Sequence, residues 1–163
     1  MEYYIRKVAE GDKSAVIDIY NYFIENSFTT YLEKTLDHAF FEALREMAIG
    51  SAFYIVDTAD KEVIGFALLK KYQNVECFKR AAEVSYFILP KHTGKGLGTK
   101  LFSRLIDDAR MMGIDTLLAS VSSLNEESLE FHKRIGFTEC GRLKNVGKKM
   151  GMDFDVVWMQ KFI

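Results

Sequence analysis

An apolar strand, Glu83 to Leu89, runs through three alternate glycines, Gly94, Gly96 and Gly98, into an amphipathic helix with Leu97, Leu101, Leu105 and Ile106 on one face. A helix start presents N–H groups that have no intrahelical partner, together with the positive end of the helix dipole, and so suits an anion. Glycine there lets a pyrophosphate approach the main chain and tolerates positive φ. Taken alone, the glycines fit a strand–helix turn shaped only by geometry equally well.

Two phosphate-binding patterns fail on spacing. A P-loop needs Gly-Lys followed by Ser or Thr, whereas Gly98 precedes Thr99-Lys100, the reverse order. A dinucleotide fingerprint needs a third glycine three residues after the second, where Thr99 stands, and it belongs in a first βα unit. This loop lies past the midpoint of the chain.

The order strand, Pro90, His92-Thr93-Gly94-Lys95-Gly96-Leu97-Gly98, helix resembles motif A of the GNAT N-acetyltransferases. Further on, Asn125-Glu126-Glu127-Ser128-Leu129-Glu130-Phe131-His132 and the turn Gly136-Phe137 look like that family's second helix. Near the start, Ile5-Arg6, Asp12 and Ala15 to Asn21 are similar to the opening of the phosphinothricin-type and L-amino acid N-acyltransferase subfamily. Val146 to Gly151 and Asp155 to Gln160 resemble its closing strands. The likeness covers residues 3–30 and 82–161 and fades between Tyr31 and Ala81, which includes part of the acceptor pocket.

The resemblance implies an acetyl-CoA cosubstrate and assigns roles along the chain. Thr93, Gly94, Lys95, Gly96, Leu97, Gly98 and Thr99 would hold its pyrophosphate, with Lys95 or Lys100 adding charge unless both are solvated surface lysines. Thr93 replaces the Arg or Gln usual in the family and shortens one contact. Ser85, Tyr86, Phe87 and Ile88 would pair with pantetheine along a splayed strand, and an unpaired Phe87 or Ile88 amide would meet the oxyanion. Glu83, in a Glu-x-Ser match, is the expected general base, because an ammonium cannot attack while protonated; the rival is a strand-end ion pair. Asn125 would bond the pantetheine or phosphate arm or simply cap its helix, and His132 would protonate the leaving thiolate or simply pack in its turn. Phe28 and Thr29 resemble the family's acceptor-pocket loop, and Lys149 would line the same pocket or a dimer contact, with packing or solvated surface as the rival reading for each.

Composition agrees with one soluble domain over residues 1–163, with 48% apolar and 28% charged residues. A net charge of −1 gives no footprint for nucleic acid or an anionic membrane. Cys77 and Cys140 have no disulfide-framework or metal-ligand spacing, so no metal is expected. Met1 to Arg6 lacks the apolar core of a signal peptide, so the expected location is cytoplasmic.

Periodicity predicts strands over Tyr3–Val8, Phe53–Asp57, Val63–Lys70, Glu83–Leu89, Thr116–Val121, Thr138–Asn145 and Asp153–Lys161. Helices are predicted from an Asp12 cap to Asn26, over Thr35–Met47, from the glycines to Met112, and over Asn125–Ile135. The Val63 strand is apolar on both faces. The class is therefore α/β (α+β), with a mixed sheet of about seven strands flanked by about four helices, the GNAT fold in the light of the resemblance.

The implied activity is transfer of acetyl from acetyl-CoA to the amino group of a small amino acid or an analogue such as phosphinothricin or methionine sulfoximine. Acyl-CoA binding without turnover is a rival, which would have no need of Glu83. Acetylation of protein N-termini or polyamines is another. The closing segment, Asp153 to Ile163, resembles the part that phosphinothricin-type enzymes use near their dimer interface, and this implies a homodimer through an isologous contact.

Overall fold

Side-chain alternation along the central strands sorts the apolar residues into two cores, one beneath each helix layer. In the computed structural model, which describes residues 2–163, seven strands form one sheet. They are β1 (Tyr3–Lys7), β2 (Ala48–Thr58), β3 (Val63–Lys71), β4 (Ala81–Ile88), β5 (Thr116–Ser122), β6 (Thr138–Lys149) and β7 (Met152–Phe162). The helices are α1 (Lys13–Asn26), α2 (Phe40–Met47), α3 (Leu97–Met111) and α4 (Glu126–Arg134). The sheet order is β1-β2-β3-β4-β5-β7-β6, and β4–β5 is its parallel pair.

Phe53 and Ile55 of β2, Phe66 and Leu68 of β3, and Phe87 of β4 pack with Val16, Ile17 and Phe23 of α1 and Phe41 and Leu44 of α2. Their neighbours Tyr54, Val56, Ala67, Leu69 and Val84 face the other way, onto Leu97, Leu101, Phe102 and Leu105 of α3. With both faces covered, Ile64 to Leu69 is buried without interruption, as the unbroken apolar run of β3 predicts.

Two helix starts differ from the sequence expectation. Asp12 does not cap α1 with its side chain. Its carboxylate instead accepts from the Arg6 guanidinium at 2.7 and 2.8 Å and from the Ala9 N–H at 2.7 Å. The second helix starts at Phe40 rather than Thr35, because the Asn21 side chain pairs with both the N–H and the carbonyl of Leu36 at 2.8 Å. That side chain offers the Leu36 backbone an alternative to a helical turn. The C-terminal strands extend past the expected limits and form a long hairpin in which β6 is the sheet edge. β7 lies between β5 and β6.

One interruption of the sheet positions the site. β4 and β5 are in register from Ala81/Thr116 to Glu83/Leu118, and their pairing then stops. Beyond Glu83, β4 remains paired with β3 as far as Ile88, and β5 remains paired with β7 as far as Ser122. The inner edges of both strands are therefore open to each other's gap.

Candidate active site

A cavity of about 750 Å³ follows this gap from the start of α3 to the α1 side of the sheet. Its cofactor end is built from main chain. Gly94 and Gly96 hold φ of 73° and 74°, and a Cβ on either would enter open space. Both line the cavity, and their positive φ favours glycine there. The Lys100 N–H donates to the Gly96 carbonyl at 3.1 Å, so the N–H groups of Leu97, Gly98 and Thr99 precede the first intrahelical bond. No acidic residue stands in the first turn of α3, which leaves the dipole's positive end uncompensated. Gly98 has a second reason to lack a side chain, since its Cβ would lie 3.0 Å from the Phe131 ring.

The opened edge of β4 supplies further donors. Leu89 N–H bonds the Ile64 carbonyl of β3 at 2.9 Å. Alternation along an antiparallel ladder then turns the Ser85 and Phe87 amides toward β3 and those of Tyr86 and Ile88 toward the gap. Of the two amides expected to be free, Ile88 is the one that faces the gap. A phosphate arm at the glycines and an extended pantetheine along the gap fit these donors.

Several expected contacts have other partners. Lys95 does not line the cavity; its ammonium donates to the Tyr3 hydroxyl at 2.7 Å, and that hydroxyl is 3.0 Å from His92 Nδ1. Thr93 lines the cavity, with its hydroxyl donated to the Pro90 carbonyl at 3.0 Å. Asn125 caps α4 by accepting from the Ser128 N–H at 3.2 Å, and its amide reaches the Thr29 hydroxyl at 3.3 Å. The helix cap weighed against a ligand contact is thus present, and the same side chain ties α4 to the loop after α1.

His132 and Tyr86 share one wall. The buried His132 ring bonds the Ser128 carbonyl through Nδ1 at 2.7 Å, so the proton belongs on Nδ1 and Nε2 is a bare acceptor. Burial lowers the His132 pKa, and the Ser128 carbonyl only partly opposes this. His132 Nε2 and the Tyr86 hydroxyl are both buried without a hydrogen-bond partner, and their rings are 5.8 Å apart. Burial pushes the Tyr86 phenol well above its ordinary pKa and keeps it a donor. The acid role expected of His132 is disfavoured in this state, because the imidazole has no proton to give at Nε2. Tyr86 has one.

The acceptor end is built from side chains of distant segments. Glu83 and Lys70, register partners on β4 and β3, form an ion pair with Nζ 3.4 Å from Oε1. The Tyr31 hydroxyl lies 2.8 Å from Ser120 Oγ, on the part of β5 that no longer pairs with β4. Burial raises the Tyr31 phenol, the Ser120 bond opposes it, and the charge of Glu83, which lines the same cavity, adds to the rise. Tyr20, Phe23 and Phe87 supply an aromatic wall, with Tyr20 and Phe23 ring centroids 5.0 and 5.6 Å from that of Phe87.

Thr29 lines this end, but Phe28 and Lys149, expected there from the sequence, do not. Phe28 packs edge-on against Phe154 of the hairpin. Lys149, 2% exposed, donates to the carbonyls of Ser27 and Thr30 at 2.7 and 2.8 Å. Burial lowers its ammonium pKa. Lys149 therefore holds the loop that carries Thr29, Thr30 and Tyr31, and acts on the pocket through it. Sequence reasoning missed Tyr31, Lys70 and Ser120. Lys70 carried a signal, a lysine closing an otherwise apolar strand. Tyr31 and Ser120 carried none that local pattern could find.

A mixed sheet parted at its parallel pair, with a glycine-started helix at one end of the opening and a carboxylate at the other, defines an acyl-transfer fold. Residues 16–137 match the family model described as the acetyltransferase (GNAT) family, and the chain belongs to that family. It is 32% identical over 160 residues to the L-amino acid N-acyltransferase MnaT of Escherichia coli, covering 96% of this chain and 91% of that one. A phosphinothricin acetyltransferase from Sinorhizobium meliloti, solved in complex with acetyl-CoA, superimposes with a TM-score of 0.91 at 26% identity, covering 100% and 89% of the two chains. A ribosomal-protein-alanine N-acetyltransferase from Brucella melitensis superimposes with a TM-score of 0.88 at 30% identity, covering 98% and 99%.

Proposed function

We propose that this acetyltransferase takes its acetyl group from acetyl-CoA and transfers it to the amino group of a small α-amino acid or a close analogue. The observation that carries this reading is the place where β4 and β5 part. The pairing ends at Glu83, so a carboxylate stands at the inner end of a gap whose outer end is the glycine start of α3.

Acetyl-CoA supplies an activated acyl carbon and a thiolate leaving group. The N–H groups of Leu97, Gly98 and Thr99 hold its phosphates, and the outward amides of Tyr86 and Ile88 align its extended arm. Charge developing on the acyl oxygen is met by main-chain donors of that edge. Glu83 takes one proton from the incoming ammonium, which frees the nitrogen lone pair to form the C–N bond; as the C–S bond breaks the nitrogen gives up its second proton, which balances the one the departing sulfur takes up. The sulfur leaves with the bonding electrons and takes a proton, for which Tyr86 is the donor-bearing group on the adjacent wall. Tyr20, Phe23 and Phe87 exclude water from the side chain of the acceptor.

Acetylation of a protein N-terminus is the second reading, favoured by the likeness to the Brucella enzyme. Release of thiol from acetyl-CoA, followed with the twenty amino acids and with peptides as acceptors, separates the two. Free amino acids are expected to be the better acceptors. Turnover only with peptides would replace this reading with the second, and binding of acetyl-CoA without turnover on any amine would leave a non-catalytic binding domain.

We also place the protein in the cytoplasm, where acetyl-CoA is supplied, as a homodimer. No described helix is long and apolar enough to cross a membrane. The contact falls on the β6 edge and the hairpin tip, where Leu143, Val146, Met150 and Met152 are exposed. A single species of the 18.7 kDa monomer mass in light scattering would contradict the dimer.

A further inference from the structure

Resting on the acceptor class proposed above, the geometry points to Lys70 as the residue that reads a carboxylate on the acceptor and so separates free amino acids from other amines. Lys70 follows Leu68 and Phe66 at alternate positions of β3, and these face α1 and α2. Lys70 is also the register partner of Glu83. Among the described residues lining the cavity, the basic side chains are Lys70, His92, His132 and Arg134, and His132 is buried in the far wall with Nδ1 on the Ser128 carbonyl. His92 is held by Tyr3 beside the glycine loop, and Arg134 lies over Phe131 in the last turn of α4. Lys70 is therefore the cation of the acceptor end.

Its ion pair with Glu83 is open to exchange. The side chains are 31% and 20% exposed, and the contact is a long one at 3.4 Å. A pair of that kind adds little by itself. An α-amino acid carries both charges of the pair on one carbon, in complementary order. On entry its carboxylate takes Lys70 and its ammonium takes Glu83, so two ion pairs replace one. The base is left in contact with the proton it has to remove. An amine without a carboxylate must compete with Lys70 for Glu83, and success leaves Lys70 without a partner. A peptide N-terminus is no better placed, because its first carboxyl group is an amide. Lys70 thus selects by penalising the wrong acceptor as well as by binding the right one.

L-Methionine and 3-(methylthio)propylamine differ only in the carboxylate, and their thioether suits the wall of Tyr20, Phe23 and Phe87. Their kcat/KM values are compared in the wild-type protein, Lys70→Met and Lys70→Arg at saturating acetyl-CoA. The wild type is expected to favour L-methionine. Lys70→Met should cut that preference by roughly 10- to 100-fold, mainly through a higher KM for L-methionine, with the amine as good an acceptor as before or better. Lys70→Arg should keep the preference. An unchanged ratio in Lys70→Met overturns the role of Lys70, as does a wild-type preference for the amine. Failure of the wild type to acetylate any amino acid overturns the acceptor class instead, and that result needs no variant to read.

Discussion

The two ends of the cavity are made of different material. At the cofactor end the working groups are main-chain amides, arranged by glycines and by a helix start within one short stretch of sequence. At the acceptor end they are the side chains of Tyr31, Lys70, Glu83 and Ser120, from four separate segments brought together across the sheet. A site of main chain depends on which residues are absent, because the positive φ of Gly94 and Gly96 disfavours any side chain there. A site of side chains depends on a scaffold elsewhere, here Lys149 and the hairpin behind the Ser27–Thr30 loop. The first should therefore be broken by additions and the second by losses at a distance.

The largest effect is expected at the cofactor end. Gly96→Asp places a carboxylate against the phosphates at a position whose φ of 74° already disfavours a side chain. In the wild type, acetyl-CoA at a hundredfold excess over its Kd should add about 2.7 kcal/mol of stability. Calorimetry and thermal unfolding should show both binding and stabilisation lost in the variant. Retained binding would remove the glycine loop from the site.

A smaller effect is expected from Lys149→Met, which keeps the side-chain volume but strands the buried Thr30 carbonyl and the half-buried Ser27 carbonyl. The cost should be about 1–3 kcal/mol in urea unfolding. More tellingly, the KM for the amino acid should rise while the Kd for acetyl-CoA stays within twofold or so, since the loop carries acceptor contacts alone. Equal weakening of both ligands would show that the two ends are not independent.

The smallest effect concerns the wall between them. Burial holds the folded-state pKa of His132 below its ordinary value of 6.5. The unfolded chain then binds the proton first, so the stability from neutral His132 is complete above pH ~6.5 and is lost as pH falls toward the folded pKa. His132→Asn should flatten the stability profile in the window just below pH ~6.5 and leave it unchanged above. A parallel loss in both proteins would show that His132 is not held neutral.

This contrast also explains what could be read from the chain. The glycine loop, the Asn125 helix and the Glu83 strand are local patterns, and their periodicity and spacing survive without tertiary information. Seven strands and four helices were legible for the same reason, because apolar alternation records which face is buried. The errors fall where a distant partner decides. Leu36 leaves the predicted helix because Asn21 on α1 binds its backbone. Asp12 gives up its cap to Arg6. Lys149 looked like a surface or pocket lysine because nothing near it in sequence shows that Ser27 and Thr30 enclose its ammonium. Tyr31 and Ser120 are 89 residues apart, and only the sheet brings their hydroxyls together.

The central claim is that Glu83, at the point where the strands part, removes the acceptor's proton. The direct measurement is kcat/KM for the best amino acid with Glu83→Gln across pH, beside acetyl-CoA binding to the same variant. The account predicts a fall of ~10²–10⁴ near neutral pH, a defect that shrinks as the amine deprotonates unaided, and acetyl-CoA affinity close to wild type. Wild-type rates in Glu83→Gln throughout that range would contradict it and leave Glu83 only as the partner of Lys70.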